Sequence, residues 1–223
     1  MAKTPPDAEL YRTRLFLITP QDYELETFAP LLENVLKAAD VASLLILPPS
    51  NGSYQDAAET LVPLAQSHDV AALLYNDSQL MGRTNADGLH LDGALEDIVE
   101  TVKNHMGQKI MGVGNIKSRH DAMSIGEGPV DYLFFGRLDG DTQDSIFPKA
   151  YKLAEWWAAI MSVPAVAMGG RGSEGIKQAG DAGIDFLALR DNIWQSKRPE
   201  KAIIDANTLL DQSFENRKAQ IGD

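Results

Sequence analysis

Short apolar runs alternate with longer amphipathic stretches from Arg14 onward. The runs are Leu15–Ile18, Leu44–Leu47, Val70–Tyr75, Gly88–Leu91, Lys109–Val113, Tyr132–Phe135, Pro164–Met168 and Phe186–Leu189. Their lack of polar alternation suits strands covered on both faces, as in a parallel sheet. After the first run, Leu25, Phe28, Leu32, Leu36 and Ala39 recur at three- and four-residue spacing and predict a helix within Tyr23 to Ala39. Ser53, with Asp56 three residues on, predicts the start of another. A helical pattern follows every run, and only the one after Asn76 is short. Eight units of about 28 residues approach the ~30 of a strand, helix and return. The chain therefore reads as α/β, a single (β/α)8 TIM barrel over residues 14–215, in preference to an open doubly wound sheet. Residues 1–13 read as a disordered lead-in and 216–223 as a tail.

Composition narrows the function without naming it. A chain of 223 residues fits one barrel domain. Twenty Lys and Arg against 32 Asp and Glu leave a net charge of −12, which disfavours a nucleic-acid or anionic-membrane surface. The absence of Cys excludes disulfides, thiol nucleophiles and thiolate metal sites. No run approaches the ~20 apolar residues of a membrane helix. Met1 to Glu9 has Pro5-Pro6 and charges where a signal peptide would be apolar, so a cytoplasmic protein is expected.

In a barrel, chemistry belongs to the loops that follow the strands. After the seventh run, Gly169 and Gly170 let backbone approach a ligand, and a helix beginning near Ser173 offers free N–H groups: together a phosphate seat. The last three runs end in Arg137, Arg171 and Arg190, side chains shaped for phosphate or carboxylate. They either bind an anionic ligand or pair with Asp139, Asp141, Asp185 or Asp191. Asp77, after Asn76 at the third strand end, could hold Mg2+ or cap the next helix, and position alone favours the cap. Asp139, Asp141 and Asp144 read as a solvated acidic loop, since a calcium loop's glycine and final bidentate acid are missing. His90 reads as a hydrogen-bonded packing residue. Of Trp156 and Trp157, one is expected to pack inward.

Leu15-Phe16-Leu17-Ile18-Thr19, Asn76-Asp77, Ala86-Asp87-Gly88-Leu89-His90-Leu91 and Gly112-Val113 fall in the order and spacing of thiamine phosphate synthases. Val130 to Gly136, Pro164 to Gly170 and Ala182 to Asp185 continue the series, so the resemblance runs from about Arg14 to Asn192. That family is a (β/α)8 barrel joining an aminopyrimidine diphosphate to a thiazole phosphate, with Mg2+, to give thiamine phosphate and pyrophosphate. The resemblance implies that Asn76 and Asp77 hold diphosphate and Mg2+, that Gly169 and Gly170 seat the thiazole phosphate, and that the chain forms a homodimer.

The chain also departs from the family. A Gln-x-Arg-x-Lys pattern after the second strand becomes Leu45-Ile46-Leu47-Pro48-Pro49. The Asp of a Gly-Gln-x-Asp motif after the fourth is lost in Asp92-Gly93-Ala94-Leu95, leaving Glu96 or Asp97 as shifted substitutes. The Ser or Thr after the fifth is Gly114, and the His of the related thiazole tautomerases falls near Ile116. The Thr-x-Thr-Lys clasp after the sixth is Asp141-Thr142-Gln143-Asp144, and the Ser after the eighth is Asp191.

Two functions follow. One is a transferase of thiamine biosynthesis with a remodelled diphosphate site, in which Arg137, Arg171 and Arg190 replace the missing cations. The other is a catalytically silent barrel that binds a phosphorylated thiazole or thiamine phosphate as sensor or carrier. Either takes a small phosphorylated metabolite. Fold alone leaves a third option, a different barrel reaction on such a metabolite.

Overall fold

A computed structural model describes residues 10–93 and 95–222, without the side chains of 95–97 and 222. Most of the lead-in and the side chains of the substitutes Glu96 and Asp97 therefore lie outside what the structure describes. Each apolar run forms a strand: β1 (Arg14–Ile18), β2 (Ser43–Ile46), β3 (Ala71–Tyr75), β4 (Gly88–Leu91), β5 (Ile110–Val113), β6 (Tyr132–Phe135), β7 (Ala165–Met168) and β8 (Phe186–Leu189). Neighbours pair in parallel and β8 closes on β1, with Leu17 opposite both Leu44 and Leu189. The helices are α1 (Leu25–Ala38), α2 (Tyr54–Gln66), α3 (Ser78–Thr84), α4 (Leu95–His105), α5 (Arg119–Gly126), α6 (Pro148–Ile160), α7 (Ser173–Ala182), α8 (Asp191–Trp194) and α9 (Pro199–Gly222). The chain is a closed (β/α)8 barrel.

The two-residue period of a strand sorts its side chains into two cores. Leu15 and Leu17 join the layer between barrel and helices, whereas Phe16 and Ile18 join the barrel interior with Leu45, Leu73, Tyr132 and Phe134. The Tyr132 ring fills the space that Gly112 leaves bare: a Cβ there would lie 1.8 Å from Cζ of the ring. Trp157 is fully buried and donates from Nε1 to Val163 O at 2.7 Å, while Trp156 is partly buried beneath the Arg119 guanidinium.

Three family-like motifs prove to be structural clamps at the strand starts. Asp87, Asp131 and Asp185 each precede a strand and accept the backbone N–H of Ala72, Met111 and Ala165 on the strand before, at 2.7–2.8 Å. This is the face of a barrel remote from its chemistry. At the chain ends, Arg12 donates to Asn207 and Asp211 on α9, and Thr13 is buried. Arg12 and Thr13 are thus tied to the barrel rather than part of a free lead-in, and 216–222 continue α9 rather than trailing as a tail.

Candidate functional site

A cleft of about 980 Å3 opens where the strands end. Its walls come from Leu47 and Pro48 after β2, Tyr75 on β3, Asp92 after β4, and Asn115 to Lys117 after β5. The stretch from Gly136 to Gly140 and Thr142 after β6, with Phe147 and Lys149 at the start of α6, forms the facing wall, and Gln21 after β1 also lines it. The β2 side is apolar, as its Leu-Pro sequence requires.

The ends of β3 and β4 are clipped together. Asn76 adopts a left-handed backbone, φ 51°, which Asn tolerates better than most residues. From there its carboxamide donates to Asp92 O at 2.7 Å and accepts from Asp92 N at 2.9 Å. Tyr54 Oη accepts from Tyr75 N at 2.7 Å and donates to Ile46 O at 3.0 Å, tying β3 to β2 behind the site. Asp77 caps α3, accepting from Leu80 N at 2.8 Å through Oδ1. Burial raises the Asp92 carboxyl above its ordinary pKa, against the pull of the nearby Lys117.

Below the cleft, His90 is completely buried, its ring stacked between Tyr75 and Tyr132 and edge-on to Phe134. Nδ1 lies 2.9 Å from Tyr132 Oη, and Nε2 has no partner. Burial pushes the imidazole pKa down to about 3. The unfolded chain, with an ordinary value near 6.5, takes up this proton first as pH falls. Stability contributed by neutral His90 is thus full above about pH 6.5 and declines toward pH 3, at up to about 1.4 kcal/mol per pH unit. A His90→Gln protein, denatured in urea across this range, should lose about 2 kcal/mol less than the parent between pH 6 and pH 4.

The three arginines do not point free charge into the cleft. Arg137, at its mouth, forms a two-pronged pair with Asp139 at 2.7 and 2.8 Å. Arg171 meets Asp191 at 3.1 Å. Arg190 is buried and meets Asp141 at 2.7 Å and Asp191 at 3.2 Å. Asp141 is itself 1% exposed, so the expectation of a wholly solvated acidic loop fails where this residue folds inward onto Arg190. Gly169 packs against Ala188 and Leu189 of β8. Gly170 packs against the backbone of Gln143 and Asp144, where a Cβ would lie 2.4 Å from Asp144 O. The close approach that glycine permits is here made by the chain's own β6–α6 loop.

Lys117, Lys149 and Asp92 were not singled out from the sequence as site residues. Neither lysine forms an ion pair among the described residues, and both line the cleft. The available signal was position: Asp92 directly follows β4, and Lys117 follows β5 by four residues. Among the described residues, no group of three or more His, Asp or Glu side chains could cage a metal ion. Mg2+ needs less, because it commonly uses one or two carboxylates and completes its shell with substrate phosphate and water. Asp77 and Asp92 are the carboxylates at the adjoining ends of β3 and β4, which Asn76 clips together through the Asp92 backbone.

A closed parallel barrel with carboxylates and cations around a cleft at its strand ends defines a (β/α)8 protein equipped for an anionic small molecule. Residues 15–193 match the family model described as thiamine monophosphate synthase, and the chain belongs to that family. It is 34% identical over 201 residues to a thiamine-phosphate synthase of Rhodospirillum centenum, covering 88% of this chain and 97% of that protein. A thiamine-phosphate synthase of Hyphomonas neptunium is also 34% identical, over 91% of this chain and 96% of its own. Among solved structures, a thiamine phosphate pyrophosphorylase from Pyrococcus furiosus superposes with a TM-score of 0.73. At 18% identity over 90% of this chain and 96% of that one, it speaks for the fold. No helix among the described residues is long and apolar enough to cross a membrane.

Proposed function

We propose that the chain is a thiamine phosphate synthase that couples an aminopyrimidine diphosphate to a thiazole phosphate through a remodelled diphosphate site. The observation that carries this reading is the cleft, lined by Asp92, Lys117 and Lys149 and adjoining the Asn76-Asp77 strand end, in a chain similar to such synthases along its length. The sensor or carrier reading gains no observation of its own.

Negative charge builds on the diphosphate as it departs, so donors and cations fixed nearby lower the barrier. Lys117 and Lys149 would supply that charge in place of cations absent after β2 and β6, and of the arginines neutralised by aspartate. Asn76 holds the β3 and β4 ends in register. Asp77 and Asp92 would hold Mg2+, which neutralises diphosphate oxygens when bound. The apolar wall of Leu47, Pro48, Ile116 and Phe147 excludes water from the remaining substrate surface. Thiazole phosphate would approach from the β7 and β8 side, where Gly169, Gly170, Arg171 and Arg190 lie.

Formation of thiamine phosphate and pyrophosphate in equal amounts tests the reaction. A Lys117→Gln/Lys149→Gln protein tests the cation assignment. With Mg2+ present, its calorimetric affinity for pyrophosphate should fall about tenfold or more, a loss of at least about 1.4 kcal/mol. Unchanged affinity would remove both lysines from the site.

A further inference from the structure

The loop between β6 and α6 begins at Gly136, with φ +117°, and runs without helix or strand to Phe147. Its tip turns inward. Asp141 Oδ1 accepts from the Arg190 guanidinium at 2.7 Å, and Oδ2 accepts from the backbone N–H of Asp191 at 2.8 Å. The next residues close the neighbouring turn: Gln143 O accepts from Arg171 N at 2.8 Å, and Asp144 O from Gly172 N at 3.2 Å and Gly175 N at 3.3 Å. Beyond them the loop is anchored, since Ile146 is buried and its N–H donates to Gln178 Oε1 at 3.0 Å. One loop thus satisfies donors at the ends of both β7 and β8.

A guanidinium and a backbone amide converging on paired oxygens form the donor set that a phosphate uses. Here the oxygens belong to a carboxylate of the chain itself. Arg171 and Arg190 face Asp141 and Asp191, two positive against two negative groups, so no net charge is left for an incoming anion. Moving Asp141 away would leave two guanidinium groups against one carboxylate. The loop is pinned from Gln143 onward by its bonds to Arg171 and Gly172, so a swing of the tip is confined to residues 140–142.

We propose that Asp141 is an internal anion that competes with the phosphate of the acceptor substrate, so that the β6–α6 loop, whose Asp139, Gly140 and Thr142 line the cleft, gates access from it to the buried Arg190. The inference rests on the functional reading above and adds a specificity element to it. Phosphate enters as the loop tip swings out, and its apparent affinity is reduced by the fraction of barrels in which the tip is open.

Calorimetry with inorganic phosphate on the full chain tests the gate. Asp141→Asn weakens the lock while keeping an acceptor for the Asp191 amide, and should bind phosphate about tenfold more tightly than the parent. Adding Arg190→Met should abolish that gain. A single variant that binds no more tightly, or a gain that survives loss of Arg190, overturns the proposal. Hydrogen exchange on the unaltered protein decides the matter even where a variant fails to fold. Saturating phosphate should speed exchange at residues 140–142 as the tip is displaced, while the Asp191 amide, taken over by phosphate, stays protected; unchanged or slower exchange at 140–142 contradicts the gate. Neither readout requires coupling. A chain that gates phosphate but forms no thiamine phosphate sinks the functional reading alone, and one that couples with unaltered phosphate affinity in Asp141→Asn sinks the gate alone.

Discussion

Asp77→Asn is expected to cut thiamine phosphate formation by about a hundredfold or more, the scale set by losing one group that meets transition-state charge. Folding should be nearly unaffected. Asp77 Oδ1 accepts the Leu80 N–H at the start of α3, and Asn serves equally well as an N-cap. Asp77→Ala should lose the same activity and also about 1 kcal/mol of stability. The pair separates two roles that one side chain can hold together, because one carboxylate oxygen caps while the other stays available. Capping alone is what Ser53 and Ser118 do at the starts of α2 and α5. An Asp77→Asn protein with full activity would place Asp77 beside those serines.

Tyr132→Ala should be among the costliest single truncations in the barrel interior, at about 4 kcal/mol in urea denaturation. The ring covers Gly112, meets Phe16 edge-on with centroids 5.6 Å apart, and supplies the only hydrogen-bond partner of the His90 imidazole among the described residues. Removing it opens a cavity that Gly112 cannot fill and leaves both imidazole nitrogens unpartnered. Tyr132→Phe keeps the packing and loses the hydroxyl, so it should cost about 1–2 kcal/mol. Equal losses in the two variants would mean that the hydrogen bond, not the ring, holds the floor of the cleft.

How much of this is legible in the sequence depends on distance along the chain. Strands were legible because burial on both faces writes itself as an unbroken apolar run, and all eight lie within a residue of those runs. The cap at Ser53 was local and equally plain. Arg137 and Asp139 are two residues apart, and their pairing could be weighed. Arg190 and Asp141 are 49 apart, and only barrel closure brings them together. The same closure laid the β6–α6 loop on Gly170, so a pair of glycines that suggested a ligand's approach instead admits the chain's own backbone. Lys149 carries no such local signal, because it sits on a helix start, away from any strand end; its place in the cleft depends on how α6 packs.

The central claim is that this barrel still couples its two substrates despite the exchanged residues. The direct measurement supplies aminopyrimidine diphosphate, thiazole phosphate and Mg2+ to the purified chain at high concentration and follows thiamine phosphate, with Asp77→Asn as control. The account predicts steady product formation that collapses in the control. No product from folded protein, or product that persists undiminished in Asp77→Asn, would contradict it.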